Sequence, residues 1–114
     1  MKTPILNVRF FKNDNGGEPV RDWLKGLDAH DRKTIGADIK TVQFGWPLGM
    51  PLVRKMAKDL WEVRIHLIGR IARVLFTAHD GEMILLHGFV KKSENTPQDD
   101  LELAKSRLKQ LRSS

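Results

Sequence analysis

Between Leu60 and Lys92 the chain reads LWEVRIHLIGRIARVLFTAHDGEMILLHGFVKK, and this stretch limits the possible folds more than any other. Its alternating apolar residues are the mark of half-buried strands. Asp80-Gly81 is a two-residue hairpin signal, because that tight turn needs two residues able to adopt positive φ. Ile68-Gly69 fits a second turn. Three strands follow, at about Leu60–His66, Arg70–Ala78 and Glu82–Val90. Cations stand inside them. A strand interior buries one face, so an arginine there must reach solvent, meet an anion in the fold, or receive one from outside.

The turns set a register. Asp80-Gly81 pairs Ala78 with Met83, which puts Arg73 opposite Gly88 and Val74 opposite His87. Ile68-Gly69 pairs Leu67 with Arg70 and Arg64 with Arg73. Paired residues share a face. Trp61, Val63, Ile65, Ala72, Val74, Phe76, Leu85, His87 and Phe89 then form one core face. The other face collects Glu62, Arg64, His66, Arg73, Gly88 and, if the strand continues, Lys92. Arg64 opposite Arg73 is a like-charge pair, which a phosphate would neutralise well because the planar guanidinium fork matches its oxygens. Gly88 opposite Arg73 leaves room for a ligand to approach.

Around these strands, Leu6 to Phe11 is a short strand closed by Asn13-Asp14-Asn15-Gly16-Gly17. Pro19 opens a helix that runs to about Lys25, before Gly26. Asp28 caps a second helix running to about Phe44, with Ile35, Ile39 and Val42 at helical spacing. Gly45-Trp46-Pro47 stops it, and GWPLGMPLVRKM reads as a loop. Thr96, as cap, and Pro97 open a last helix whose apolar face is Leu101, Ala104, Leu108 and Leu111. The order is β-α-α-β-β-β-α: an α+β fold, a small antiparallel sheet with an N-terminal helical hairpin and a C-terminal helix packed on it.

The 114 residues suit one domain, 1–114, and the net charge of +6 favours a polyanionic partner. The absence of cysteine excludes disulfides and thiolate metal sites, and no cluster has metal-ligand spacing. No cofactor fingerprint is present. Nothing approaches the roughly 18 apolar residues of a membrane span, and MKTPILNVRFFKND lacks a signal-peptide core. A cytoplasmic protein with no membrane partner is the expectation.

Taken together, LWEVR, GRIARVLF and LLHGFVKKSENTP, in that order and followed by a helix, resemble the RelE/HigB toxins of bacterial toxin–antitoxin modules, in their phage-derived HigB-like branch. The resemblance runs from about Val8 to Arg112. It implies a RelE-like fold and a metal-independent endoribonuclease that cleaves mRNA, in many members within the ribosomal A site, by attack of the 2′-hydroxyl on the adjacent phosphate. It also implies a cognate antitoxin, often a helix-turn-helix protein of HigA type. By position it makes Arg73 the arginine on the scissile phosphate and Arg64 a basic partner on the preceding strand. Lys91 and Lys92 stand where relatives carry a catalytic or RNA-contacting base. Arg54 and Lys55 match a basic approach to the sheet, and Arg70 joins them as a candidate RNA contact. Several relatives place a tyrosine near the chain end, and this sequence has none. His66 is then the acid–base candidate on the cationic face, with Glu62 behind it. His87 reads as a hydrogen-bonded core histidine. Two other readings fit the same residues: a non-catalytic nucleic-acid-binding module, and a phage-derived interaction domain.

Overall fold

Asp28 shows how closely local chemistry sets the elements. Its side chain accepts a hydrogen bond from the Asp31 backbone N–H at 2.8 Å and starts a helix there, as an N-cap should. The computed structural model describes residues 3–92 and 95–113, so Ser93 and Glu94 of the string quoted above lie outside it. The elements are β1 (Asn7–Phe10), α1 (Pro19–Lys25), α2 (Ala29–Gly45), β2 (Val53–Ala57), β3 (Leu60–Leu67), β4 (Arg70–His79), β5 (Glu82–Lys91) and α3 (Gln98–Ser113). The hairpin turn forms where predicted, with φ of +50° at Asp80 and +75° at Gly81.

The five strands form one sheet in the order β1-β5-β4-β3-β2. Three sequence expectations fail here. The sheet is mixed, not antiparallel, because β1 pairs with β5 in parallel, Asn7 beside Glu82. The chain leaves β1 at one edge, crosses through α1 and α2, and re-enters at the opposite edge. The stretch read as a loop holds β2, which pairs Val53 with Val63 and Arg54 with Glu62. Two adjacent cations, Arg54 and Lys55, hide its alternation.

The third correction concerns register. A bulge between Leu75 and Phe76 in the β4–β5 ladder shifts every later pair by one residue. Val74 therefore faces Gly88, and Arg73 faces Phe89, not Gly88. His87 and Phe89 move off the face assigned to them. The β3–β4 register is as predicted, including Arg64 opposite Arg73.

Helices cover both faces. Val20, Ile35, Ile39 and Val42 of α1 and α2 pack on Val63, Ile65, Ala72, Val74, Phe76 and Leu85. Trp46, Trp61 and Phe76 form an edge-and-stack aromatic group there, with centroids 5.0 to 6.0 Å apart. On the other face Ala104 and Leu108 of α3 pack on Leu60, Leu75, Ile84 and Leu86. Gly88 is not open to a ligand. A Cβ there would lie 2.4 Å from the Trp23 ring, so α1 fills the space. Thr96 does not cap α3, which starts at Gln98; its hydroxyl is used elsewhere.

Candidate functional site

The pairings arrange the α3-side face in rows across the strands. One row holds Arg54, Glu62, Leu75 and His87; the next holds Arg64, Arg73 and Phe89; the third holds His66, Ile71 and Lys91. Four of the predicted catalytic residues, Arg64, Arg73, His66 and Lys91, thus share one face in two neighbouring rows. They lie beyond the apolar seat of α3. His66 and Lys91 are exposed. Lys92 is exposed one residue past the end of β5, so the strand does not carry it onto this face.

The arginines are far less open than a surface patch would be. Arg73 has no exposed surface, and the Arg64 side chain retains only 12%. Burying two guanidiniums side by side is costly unless each finds acceptors. Arg73 donates from a terminal nitrogen to the Asn95 carbonyl and lies over the Phe89 ring, 5.9 Å from its centroid. The Arg64 Nε lies 3.8 Å from the Glu62 carboxylate, which is also wholly buried. The other Glu62 oxygen accepts the Thr96 hydroxyl hydrogen bond. Asn95 and Thr96, just before α3, are therefore fastened to the sheet through the same charged residues that the sequence marks as functional.

The predicted RNA-contacting residues do not form one patch. Arg54 and Lys55 are exposed but point to opposite faces, Arg54 in the row of Glu62 and Lys55 beside Trp61. Arg70 belongs to the helical-hairpin side, where it forms an ion pair with Asp31 of α2 at 3.0 Å.

His87 sits on the α3 side, where its Nε2 lies 2.6 Å from the Asp100 carboxylate and its ring stacks on Phe89. Arg107 donates to the Leu86 carbonyl at 2.9 Å, and burial lowers the pKa of this arginine. These contacts fasten α3 to the bulged part of β5. The hydrogen-bonded histidine of the sequence reading is therefore present, on the opposite face.

Among the described residues no strand pairs with the edge of β3 past Leu52, and a cavity of about 300 Å³ opens there. It is lined by Thr34, Asp38, Pro51, Leu52, Arg64 and His66. Asp38 belongs to α2. Burial raises its pKa above the ordinary 3.8, and His66 acts in the opposite direction. Sequence reasoning missed it, because Thr34 and Asp38 are four apart on a helix and carry no local sign of meeting β3. A larger cavity of about 440 Å³ lies at the hairpin end of the sheet, beside Asp80 and Arg112, away from the arginine row. Among the described residues, no three His, Asp or Glu side chains group as metal ligands, and no helix is long and apolar enough to cross a membrane.

These features define a small α+β domain whose mixed sheet lies between a helical hairpin and a terminal helix and carries on one face a pair of arginines, one buried and one largely covered. The chain belongs to the family of phage derived protein Gp49-like (DUF891), whose model matches residues 22–109 and so spans the arginine row and the cavity beside it. That family is associated with toxin–antitoxin modules. No curated protein matches the chain.

Proposed function

We propose that this protein is the toxin of a type II toxin–antitoxin module, of the HigB-like kind with a RelE-like fold, and that it acts as a metal-independent endoribonuclease on mRNA at the ribosome. A cognate helix-turn-helix antitoxin of HigA type would neutralise it. The observation that carries the reading is the row of Arg64 and Arg73, directly opposed, flanked by Lys91 and His66 on the same face. Family membership supports the toxin part of the reading.

In this mechanism the RNA 2′-oxygen attacks the adjacent phosphorus as His66 takes its proton. Arg64 and Arg73 stabilise the charge of the pentacovalent phosphate. The P–O5′ bond breaks, leaving a 2′,3′-cyclic phosphate, and Lys91 or Lys92 supplies the proton to the departing 5′-oxygen. Glu62 is wholly buried and held by Thr96, so the base role falls to exposed His66. Arg73 is covered as well, and phosphate binding would exchange its Asn95 carbonyl contact for a phosphate oxygen. Positioning of the message by the ribosome would compensate for a sparse acid–base set, since orientation alone is worth roughly 7–11 kcal/mol.

The test is induced expression in a bacterial host with mapping of mRNA 5′ ends. The proposal expects growth arrest and new cuts within translated messages. Arg73→Ala and the surface pair Lys91→Ala/Lys92→Ala should each abolish the cuts, and the lysine pair leaves the core intact. Cuts that survive both variants would move the chemistry elsewhere. Neither cuts nor arrest would leave a binding module.

A further inference from the structure

The cavity at the free edge of β3 is polarised. Its α2 wall is formed by residues that carry oxygen acceptors: Asp38, and Thr34, whose hydroxyl spends its own hydrogen on the His30 carbonyl at 3.0 Å. Its β3 wall is formed by Arg64 and His66, two residues that carry nitrogen groups. Pro51 and Leu52 supply the apolar surface between them. About 300 Å³ is at the small end of ligand sites, which run from roughly 300 to 1,000 Å³.

A nucleotide has the matching polarity. Its phosphate suits Arg64 and His66, its flat base suits Pro51 and Leu52, and the donors on its base edge suit Asp38. The four bases differ in those donors. Guanine places N1–H and an N2 amino hydrogen side by side, which two carboxylate oxygens accept together. Adenine and cytosine offer one amino group beside an acceptor, and uracil offers one imino hydrogen. Half-buried in the cavity wall, Asp38 gains from two matched donors and loses from any base that turns an acceptor toward it.

We propose that this cavity is a nucleobase subsite and that Asp38 makes it select guanine. The inference rests on the ribonuclease reading for its biological setting, and it adds a specificity-determining residue that touches the base and not the scissile phosphate. Arg64 joins the two sites: it faces Arg73 across the sheet and also lines the cavity. A guanine held against Asp38 would therefore be a nucleotide beside the one cleaved.

The test uses the purified full chain and needs no cleavage. The 5′-monophosphates of guanosine, inosine, adenosine, cytidine and uridine are titrated in turn, with binding followed by NMR through the His66 imidazole. A matched bidentate pair discriminates by roughly tenfold or more, so guanosine monophosphate should bind about tenfold tighter than adenosine monophosphate. Inosine monophosphate, which lacks the amino group, should fall between them. Asp38→Ala should bring all five to similar affinity. Asp38→Asn should invert the order toward adenine, because a carboxamide pairs one donor and one acceptor as adenine's edge requires. Inversion is a result that damage to the fold cannot produce. Equal binding of all five, no binding of any, or a guanine preference that survives Asp38→Ala would overturn the inference. The ribonuclease reading would then still stand or fall on the 5′-end map.

Discussion

Thr96→Val removes one hydroxyl and keeps the side-chain shape, which makes it a clean probe of the link between the chain before α3 and the sheet. The Thr96 hydroxyl donates to Glu62, a carboxylate with no exposed surface. A hydrogen bond to a charged group is worth about 1.5–3 kcal/mol, and its loss leaves a buried oxygen unsatisfied. We expect Thr96→Val to destabilise the fold by about 2 kcal/mol. With a urea m-value of about 1–3 kcal/mol per molar for small proteins, the unfolding midpoint should fall by about 1 M. The assay is urea denaturation followed by tryptophan fluorescence, repeated in a Glu62→Gln background. There the acceptor is neutral and the bond is worth only about 0.5–1.5 kcal/mol, so the cost of Thr96→Val should shrink by about half. A cost below about 0.5 kcal/mol, the ordinary scatter of surface substitutions, would refute the reasoning. So would equal costs in the two backgrounds, since the effect would then not pass through the Glu62 charge.

Gly88→Ala should cost about 1–3 kcal/mol in chemical denaturation through overpacking, because its new carbon would fall 2.4 Å from the Trp23 ring. Arg70→Ala should lower stability by about 1 kcal/mol, as expected for a half-exposed ion pair, by removing the partner of nearly buried Asp31; the reading fails if stability holds and only RNA binding is lost. Asp38→Asn should change the pH profile of stability. The folded-state pKa of Asp38 is raised, so this group contributes stability below 3.8 that is lost as pH rises through the folded value. The asparagine variant should therefore gain on the wild type at neutral pH and not at pH 3, and thermal melts at both pH values decide it.

Where the chain signals structure locally, sequence and structure agree. Proline at the first position of α1, the Asp28 cap of α2 and the Asp80-Gly81 turn are each recorded within a few residues, and those elements form at the expected positions. The opposition of Arg64 and Arg73 followed from the tight turn at Ile68-Gly69. What escaped is non-local or comes down to a single residue. The bulge opposite Leu75 adds one residue to a ladder whose sequence alternates well on both sides, and it sends His87 to the opposite face. The parallel pairing of β1 with β5 depends on strands far apart in the chain. The site was legible as a set of cations on one face, but not its burial. Nothing in LWEVR or IARV announces that Asn95 and Thr96 fold back over Arg73 and Glu62, and nothing in α2 announces that Asp38 reaches the cavity beside Arg64.

The strand order also sets a timetable. β1 precedes the other strands and sits at a sheet edge, yet among the described residues it pairs with β5, the last strand in chain order. Local hairpins close quickly, whereas distant pairings wait for the chain between them and for the loop entropy that closing it costs. On the ribosome the arginine row can gather only after β3, β4 and β5 have all emerged, and Asn95 and Thr96 follow it out a few residues later. A nascent chain therefore carries β1 without its β5 partner until β5 has emerged, and the cationic face comes together and is covered in nearly the same interval. If this face is the toxic one, its assembly is postponed until β5 and the residues leading into α3 have been made.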